Sequence, residues 1–261
     1  MSGAGAVAAL VLLEWAVGWV AVAAWTQSWS VVRRGHFRIL GYGAVALSLG
    51  ALLIDRTAVE GTGVFRQTSF VVFVATTVLY LGAQYVRTDK VGVVTGCLAA
   101  LSGAVVLYAT ARDMSAWAPP ISFGEVLTGA ALLGAVTNGM LLGHWYLNQP
   151  GLKPWALARL TKLSLSAAVL TALAGLAAGG KLASAETQGA VLGLPGFGES
   201  FGLFFFIVWI VLIVFTGAIV WMVKRCIEMR SIQSATGLYY VALLTAGVSE
   251  FMVRYLMVNA T

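Results

Sequence analysis

Eight apolar stretches fill this chain, and basic residues crowd into every second connector between them. A helix of about 20 apolar residues crosses the hydrocarbon core of a bilayer, and Lys and Arg collect in loops on the cytoplasmic side. The pattern predicts an all-α, polytopic transmembrane helical bundle. Its spans fall at roughly 5–31, 39–54, 69–86, 91–110, 122–147, 163–180, 200–224 and 234–258. The connectors after spans one, three, five and seven hold Arg33, Arg34 and Arg38, then Arg87 and Lys90, then Lys153, Arg159 and Lys162, then Lys224, Arg225 and Arg230. The opposite connectors hold Arg56, Arg66, Arg112 and Lys181, mixed with Asp55, Glu60, Asp113, Glu186 and Glu199. This bias predicts basic loops inside and both termini on the periplasmic or exterior side of the cell membrane. Span two reads as short and span one as long, so tilt or interfacial extension is expected.

Composition removes several function classes. Only 10% of the residues are charged, against about a quarter in soluble domains, so the chain reads as a single integral membrane domain, 1–261. The net charge of +6 follows from the inner loops that insertion requires and does not point to nucleic acid. The first residues lack the basic n-region of a cleavable signal peptide, so the first span is expected to be retained. Cys97 and Cys226 both map near the inner side and suggest neither a disulfide nor a metal framework. No Walker, dinucleotide or nucleophile-elbow pattern occurs.

Two outer connectors stand out. Residues 111–121 contain the pair Pro119-Pro120, which stops a helix. Residues 178–199 are long, Gly-rich and partly apolar. Such a loop is either functional or a floppy connector. A short-range match is also visible. Glu14, Gly18 and Thr26 in span one recur at the same spacing as Glu125, Gly129 and Thr137 in span five, each Thr followed by an amide, Gln27 or Asn138. Thr95-Gly96 and Thr236-Gly237 open spans four and eight. These matches suggest two four-helix halves, 1–112 and 118–261, related by an axis along the membrane normal. Chance recurrence in a Gly/Ala/Thr-rich chain is the competing reading.

Ionisable groups inside a bilayer are rare because each costs several kcal/mol, so the few present are the candidates. Glu14 lies about a third of the way into span one, suited to a proton-relay carboxyl or to a polar headgroup. Its plainer reading is a protonated Glu bonded to a neighbouring helix. Glu125 sits near the outer interface, where the positive helix end favours it structurally. Glu250 and Arg254, four apart on one face of span eight, suit an ion pair. Thr137, Asn138, His144, Trp145 and Tyr146 lie along span five, with Gly139 and Gly143 at small-xxx-small spacing. His144 between aromatics could hydrogen-bond a quinone carbonyl, ligate haem iron or relay protons. It could equally be an interfacial His in an aromatic belt. His36, in the basic loop RRGHFR, is expected to be exposed to solvent. Two histidines exclude a bis-His di-haem site, a single haem remains formally open, and no metal site is indicated. Trp15, Trp19, Trp25 and Trp29 form a stripe on span one, and Phe201, Phe204, Phe205 and Phe206 open span seven. Both are expected to face lipid or a packing neighbour.

Eight spans with both ends outside, Glu14-Trp15 early in span one and a four-plus-four build resemble the quinone-interacting membrane subunits of molybdopterin-type oxidoreductases, the polysulfide/dimethyl-sulfoxide reductase anchor family. That resemblance implies a membrane subunit of an electron-transfer or respiratory-type complex, with redox partner subunits and a quinone as ligand. The loop after span two, IDRTAVEGTGVFRQTS, carries no His, so Glu14 alone is carried over. Two other readings stay open: a small-solute or ion transporter, motivated by Glu14 and Glu125 at matching positions, and a structural or assembly subunit whose aromatic faces are its contacts.

Overall fold

The computed structural model describes residues 3–59, 61–114, 116–149, 151–183 and 199–259, without the side chains of 183 and 199–201. The described residues form nine helices: α1 (Ala4–Gln27), α2 (Arg34–Ala58), α3 (Val64–Ala83), α4 (Asp89–Arg112), α5 (Pro119–Asn148), α6 (Trp155–Ala177), the single turn α7 (Gly179–Ala183), α8 (Glu199–Glu228) and α9 (Ile232–Asn259). All but α7 are long and apolar enough to cross a membrane. The chain is an all-α bundle of eight candidate spans, and a lipid bilayer is its environment.

The expected boundaries shift in one instructive place. α2 is not short: it has 25 residues against 24 in α1. Its extra turns carry Arg34, His36 and Arg38 at one end and Asp55 and Arg56 at the other. A polar helix end continues beyond the hydrocarbon layer when its side chains find partners. Here the Arg34 guanidinium reaches Asp89 at 2.9 Å and the main-chain oxygens of Val86 and Arg87.

Packing follows hydropathy. α1 is apolar on every side, and such a helix belongs inside. It packs against α2, α4 and α5, while α5 packs against α1, α6 and α9. Neighbour contacts run α1–α2–α3–α4 and back to α1, then α5–α6–α8–α9 and back to α5, with α1 and α5 joining the two rings. At that join Gly18 lies against the backbone of Ala130 and Gly134, where any Cβ would collide with main chain. Small residues permit this approach, as they do between membrane helices generally. Gly129, which the sequence match pairs with Gly18, has other neighbours: the side chains of Glu250 and Arg254 on α9.

At the face where α1 begins and α9 ends, two hydrogen bonds tie the chain together. The Gly3 amide donates to Asn259 Oδ1 at 2.8 Å. The indole N–H of Trp117, in the connector before α5, donates to the Met257 carbonyl at 2.9 Å. The apolar part of the 178–199 loop, AVLGLPGF, lies outside the described residues.

Candidate functional site: a buried arginine among three glutamates

Four charged side chains from three helices, α1, α5 and α9, meet beneath that face. Arg254 of α9 is fully buried, and so are Glu14, Glu125 and Glu250. The Arg254 Nε donates to Glu14 Oε1 at 2.6 Å, and its Nη2 donates to Glu250 Oε2 at 2.8 Å. Nη2 also donates to the main-chain oxygen of Glu125 at 2.7 Å, and Nη1 lies 3.0 Å from Met257 Sδ. The Glu125 carboxylate comes no closer than 3.5 Å, from Oε2 to Nη1. Gly129, one turn along α5 from Glu125, supplies the space: a Cβ there would meet Glu250 and Arg254.

Helix geometry explains the convergence. Glu250 and Arg254 stand one turn apart on the same face of α9. Glu14 lies about 15 Å along α1 from its start, and Arg254 about 8 Å from the end of α9. The long arginine side chain covers the difference in depth. The i, i+4 pair expected from the sequence is present, and the same guanidinium also gathers Glu14 and Glu125.

Charge does not balance here. Three carboxyls share one guanidinium. Glu14 Oε2, Glu250 Oε1 and both oxygens of Glu125 have no hydrogen-bond partner. Buried charge is stable only when paired and hydrogen-bonded, and a carboxyl left without a partner takes up a proton instead. Among the described residues no group of His, Cys, Asp and Glu side chains has the arrangement of a metal site.

The stretch on α5 singled out from the sequence divides into inward and outward residues. Thr137 accepts the indole N–H of Trp15 at 2.8 Å. Asn138 is buried and donates to the main-chain oxygens of Trp19 and Gly134 at 3.1 and 2.9 Å. His144 is exposed, and it lies 19 residues beyond Glu125, about 28 Å along the helix. It therefore does not join Glu14. Tyr146 turns its hydroxyl to the Lys153 carbonyl, and the Trp145 indole donates to Gln149 Oε1.

One histidine departs from the environment that the sequence suggests. His36, expected in solvent, is buried. Its ring packs edge-on against Phe37 at 5.3 Å and at a tilt against Trp145 at 5.5 Å. The cause is the early start of α2, which draws His36 out of the connector and into the bundle against the end of α5.

The Trp stripe is also divided. Trp15 bonds α5, and Trp19 lies over Gly43 of α2. Trp25 and Trp29 form an aromatic cap with Trp155, over which Arg159 sits 5.4 Å from both ring centres. In α8, Phe205 stacks on Tyr255 and Phe206 on Trp209, and Phe204 is exposed. The side chain of Phe201 lies outside those described.

A second charged cluster was hidden in residues assigned to outer connectors. Arg66, near the start of α3, pairs with Asp55 near the end of α2 and with Asp113 at the end of α4, the latter at 3.3 Å. A third polar contact, the amide pair Gln27–Gln84 at 2.8 Å, is buried between α1 and α3. The visible signal for the arginine cluster is an acidic residue at two helix ends and a basic one at the adjoining start, all on one side of the membrane.

Comparisons with models of known protein families, with curated proteins and with solved structures found no match for this chain.

Proposed function

We propose that this chain is a proton-handling integral membrane protein, working as the membrane subunit of a larger electron-transfer assembly in the cell membrane. One observation carries the first part: three buried glutamates share a single buried arginine, and four of their oxygens lack a hydrogen-bond donor. Such a cluster gains and loses protons more readily than it carries all its charges in a dry interior. The second part is supported by the resemblance of the sequence, with its eight spans and Glu14-Trp15 early in the first, to the membrane subunits of electron-transfer complexes. The alternation of basic loops supports an outward orientation of both ends, which sets the cluster on the outer side.

The packing favours this over a solute transporter. The join of α1 and α5 at Gly18 and Gly134 is backbone against backbone, where a transporter's central cavity would be wanted. For the quinone reading, Glu14 and His144 do not make one site, since His144 is exposed near the opposite end of α5. One observation does favour a purely structural role: Arg254 uses Nε, Nη1 and Nη2 to tie α1, α5 and α9 together.

Infrared titration of the protein in lipid nanodiscs separates the two. Proton handling predicts a protonated-carboxyl C=O band that changes between about pH 4 and pH 10 and shifts in D2O. A purely structural cluster predicts no such change. Gentle detergent extraction followed by subunit analysis tests the assembly: a chain that purifies alone and moves no protons with any redox partner sinks that part.

A further inference from the structure

The three glutamates are not equivalent, and their differences assign a role within the cluster. Glu14 and Glu250 each give one oxygen to the guanidinium at hydrogen-bond distance. Glu125 gives none: its carboxylate stays at 3.5 Å, and both its oxygens are without a partner. Arg254 takes the main-chain oxygen of Glu125 instead. A carboxyl that accepts charge-assisted hydrogen bonds has part of its charge compensated. Glu125, which accepts none and is buried beside two other carboxyls, is the least compensated of the three.

Position agrees with bonding. Glu125 is six residues into α5, about 9 Å from the helix start, whereas Glu14 lies deeper. Ionisable neighbours face Glu125 from two helices: Glu14 from α1, and Glu250 and Arg254 from α9. On α4 the charged residues are confined to the ends, Asp89, Lys90 and Arg112. On α6 they are Arg159 and Lys162, at the far end from Glu125.

From this we infer that Glu125 is the exchanging carboxyl of the cluster, with Glu14 and Glu250 as the fixed counter-ions of Arg254. The inference rests on the proton-handling reading above. In the exchange, a proton from water on the face where α1 begins adds to a Glu125 oxygen and gives the neutral acid. Its loss to water restores the carboxylate. No other bond changes.

The same infrared titration, run on single variants in nanodiscs, tests it. Glu125→Gln is expected to abolish the pH-dependent carboxyl band, and Glu125→Asp to move it. Glu14→Gln and Glu250→Gln are expected to keep it. Their midpoints should fall, because removing a nearby negative charge favours ionisation of Glu125. Thermal unfolding of each variant confirms that it is folded. If Glu125→Gln does not fold, the Asp variant decides alone, by a moved or an unmoved band. A band that survives in Glu125→Gln, or is unmoved in Glu125→Asp, overturns the assignment while leaving proton handling intact. A band absent from the unsubstituted protein overturns both.

Discussion

Two arginines in this bundle do the same mechanical task under different electrostatic terms. Arg66 ties the end of α2 to the start of α3 and the end of α4, using Asp55 and Asp113. Arg254 ties α1, α5 and α9, using Glu14, Glu125 and Glu250. Both guanidiniums are buried, and both clusters lie toward the face where α1 begins. The first has two carboxylates, one of them about a third exposed (35%). Water and ions can settle its surplus charge. The second has three carboxyls, none more than 1% exposed, so only protons can settle its surplus. Tying helices together explains the first cluster fully. It leaves Glu125 in the second unexplained, because that side chain makes no hydrogen bond.

The largest effect that can break this comparison is removal of each hub. Arg254→Leu strands carboxyls in the dry interior and is expected to cost about 3–5 kcal/mol, the usual penalty for breaking a buried pair. Thermal or denaturant unfolding in detergent measures it. Arg66→Leu should cost less, because Asp113 relaxes into water. Equal losses would mean that exposure at Asp113 makes no difference, and the contrast between the clusters would fail.

A middle-sized effect sharpens the division inside the Arg254 cluster. Glu14→Gln keeps an oxygen near the guanidinium but removes a charge from its 2.6 Å bond. Hydrogen bonds to charged groups contribute about 1.5–3 kcal/mol, and a loss in that range is expected. Glu125→Gln removes no side-chain hydrogen bond and replaces the neutral acid by another neutral group, so it should leave stability nearly unchanged. A loss at Glu125 equal to that at Glu14 would show that Arg254 needs all three carboxylates.

Much of the frame was legible in the sequence, and the reasons are physical. Span number comes from local composition, so it needed no knowledge of packing. Glu250 and Arg254 were legible as a pair because helix periodicity alone brings them together. Their union with Glu14 and Glu125 depends on which helices are neighbours, and α1, α5 and α9 are far apart in the chain. Depth offered a partial signal: Glu14 and Arg254 approach the same level of the bundle from opposite chain directions, with opposite charge. His36 was misread because hydropathy starts span two at Ile39. The helix begins at Arg34, and those extra residues rotate His36 into the bundle. Polar helix ends paired to other connectors are invisible to a hydropathy reading. The Asp55–Arg66–Asp113 cluster was missed for that reason too.

The smallest effect is the most discriminating about solvent. Asp113→Asn removes the half-hydrated partner of Arg66, which retains Asp55. Ion pairs open to water contribute about 0–1 kcal/mol, so the loss should fall in that range. It should shrink further as salt rises toward 1 M, where screening acts over about 3 Å. Arg254 offers no such access, and the penalty of Glu14→Gln should stay constant across the same salt series. The two slopes, measured by unfolding midpoints in one detergent, compare a cluster that neutralises itself with ions and one that is restricted to protons. A salt-sensitive Glu14→Gln penalty would place water and ions at Arg254. The unpartnered oxygens of Glu125 would then be hydrated, and the physical reason for holding a proton there would be gone.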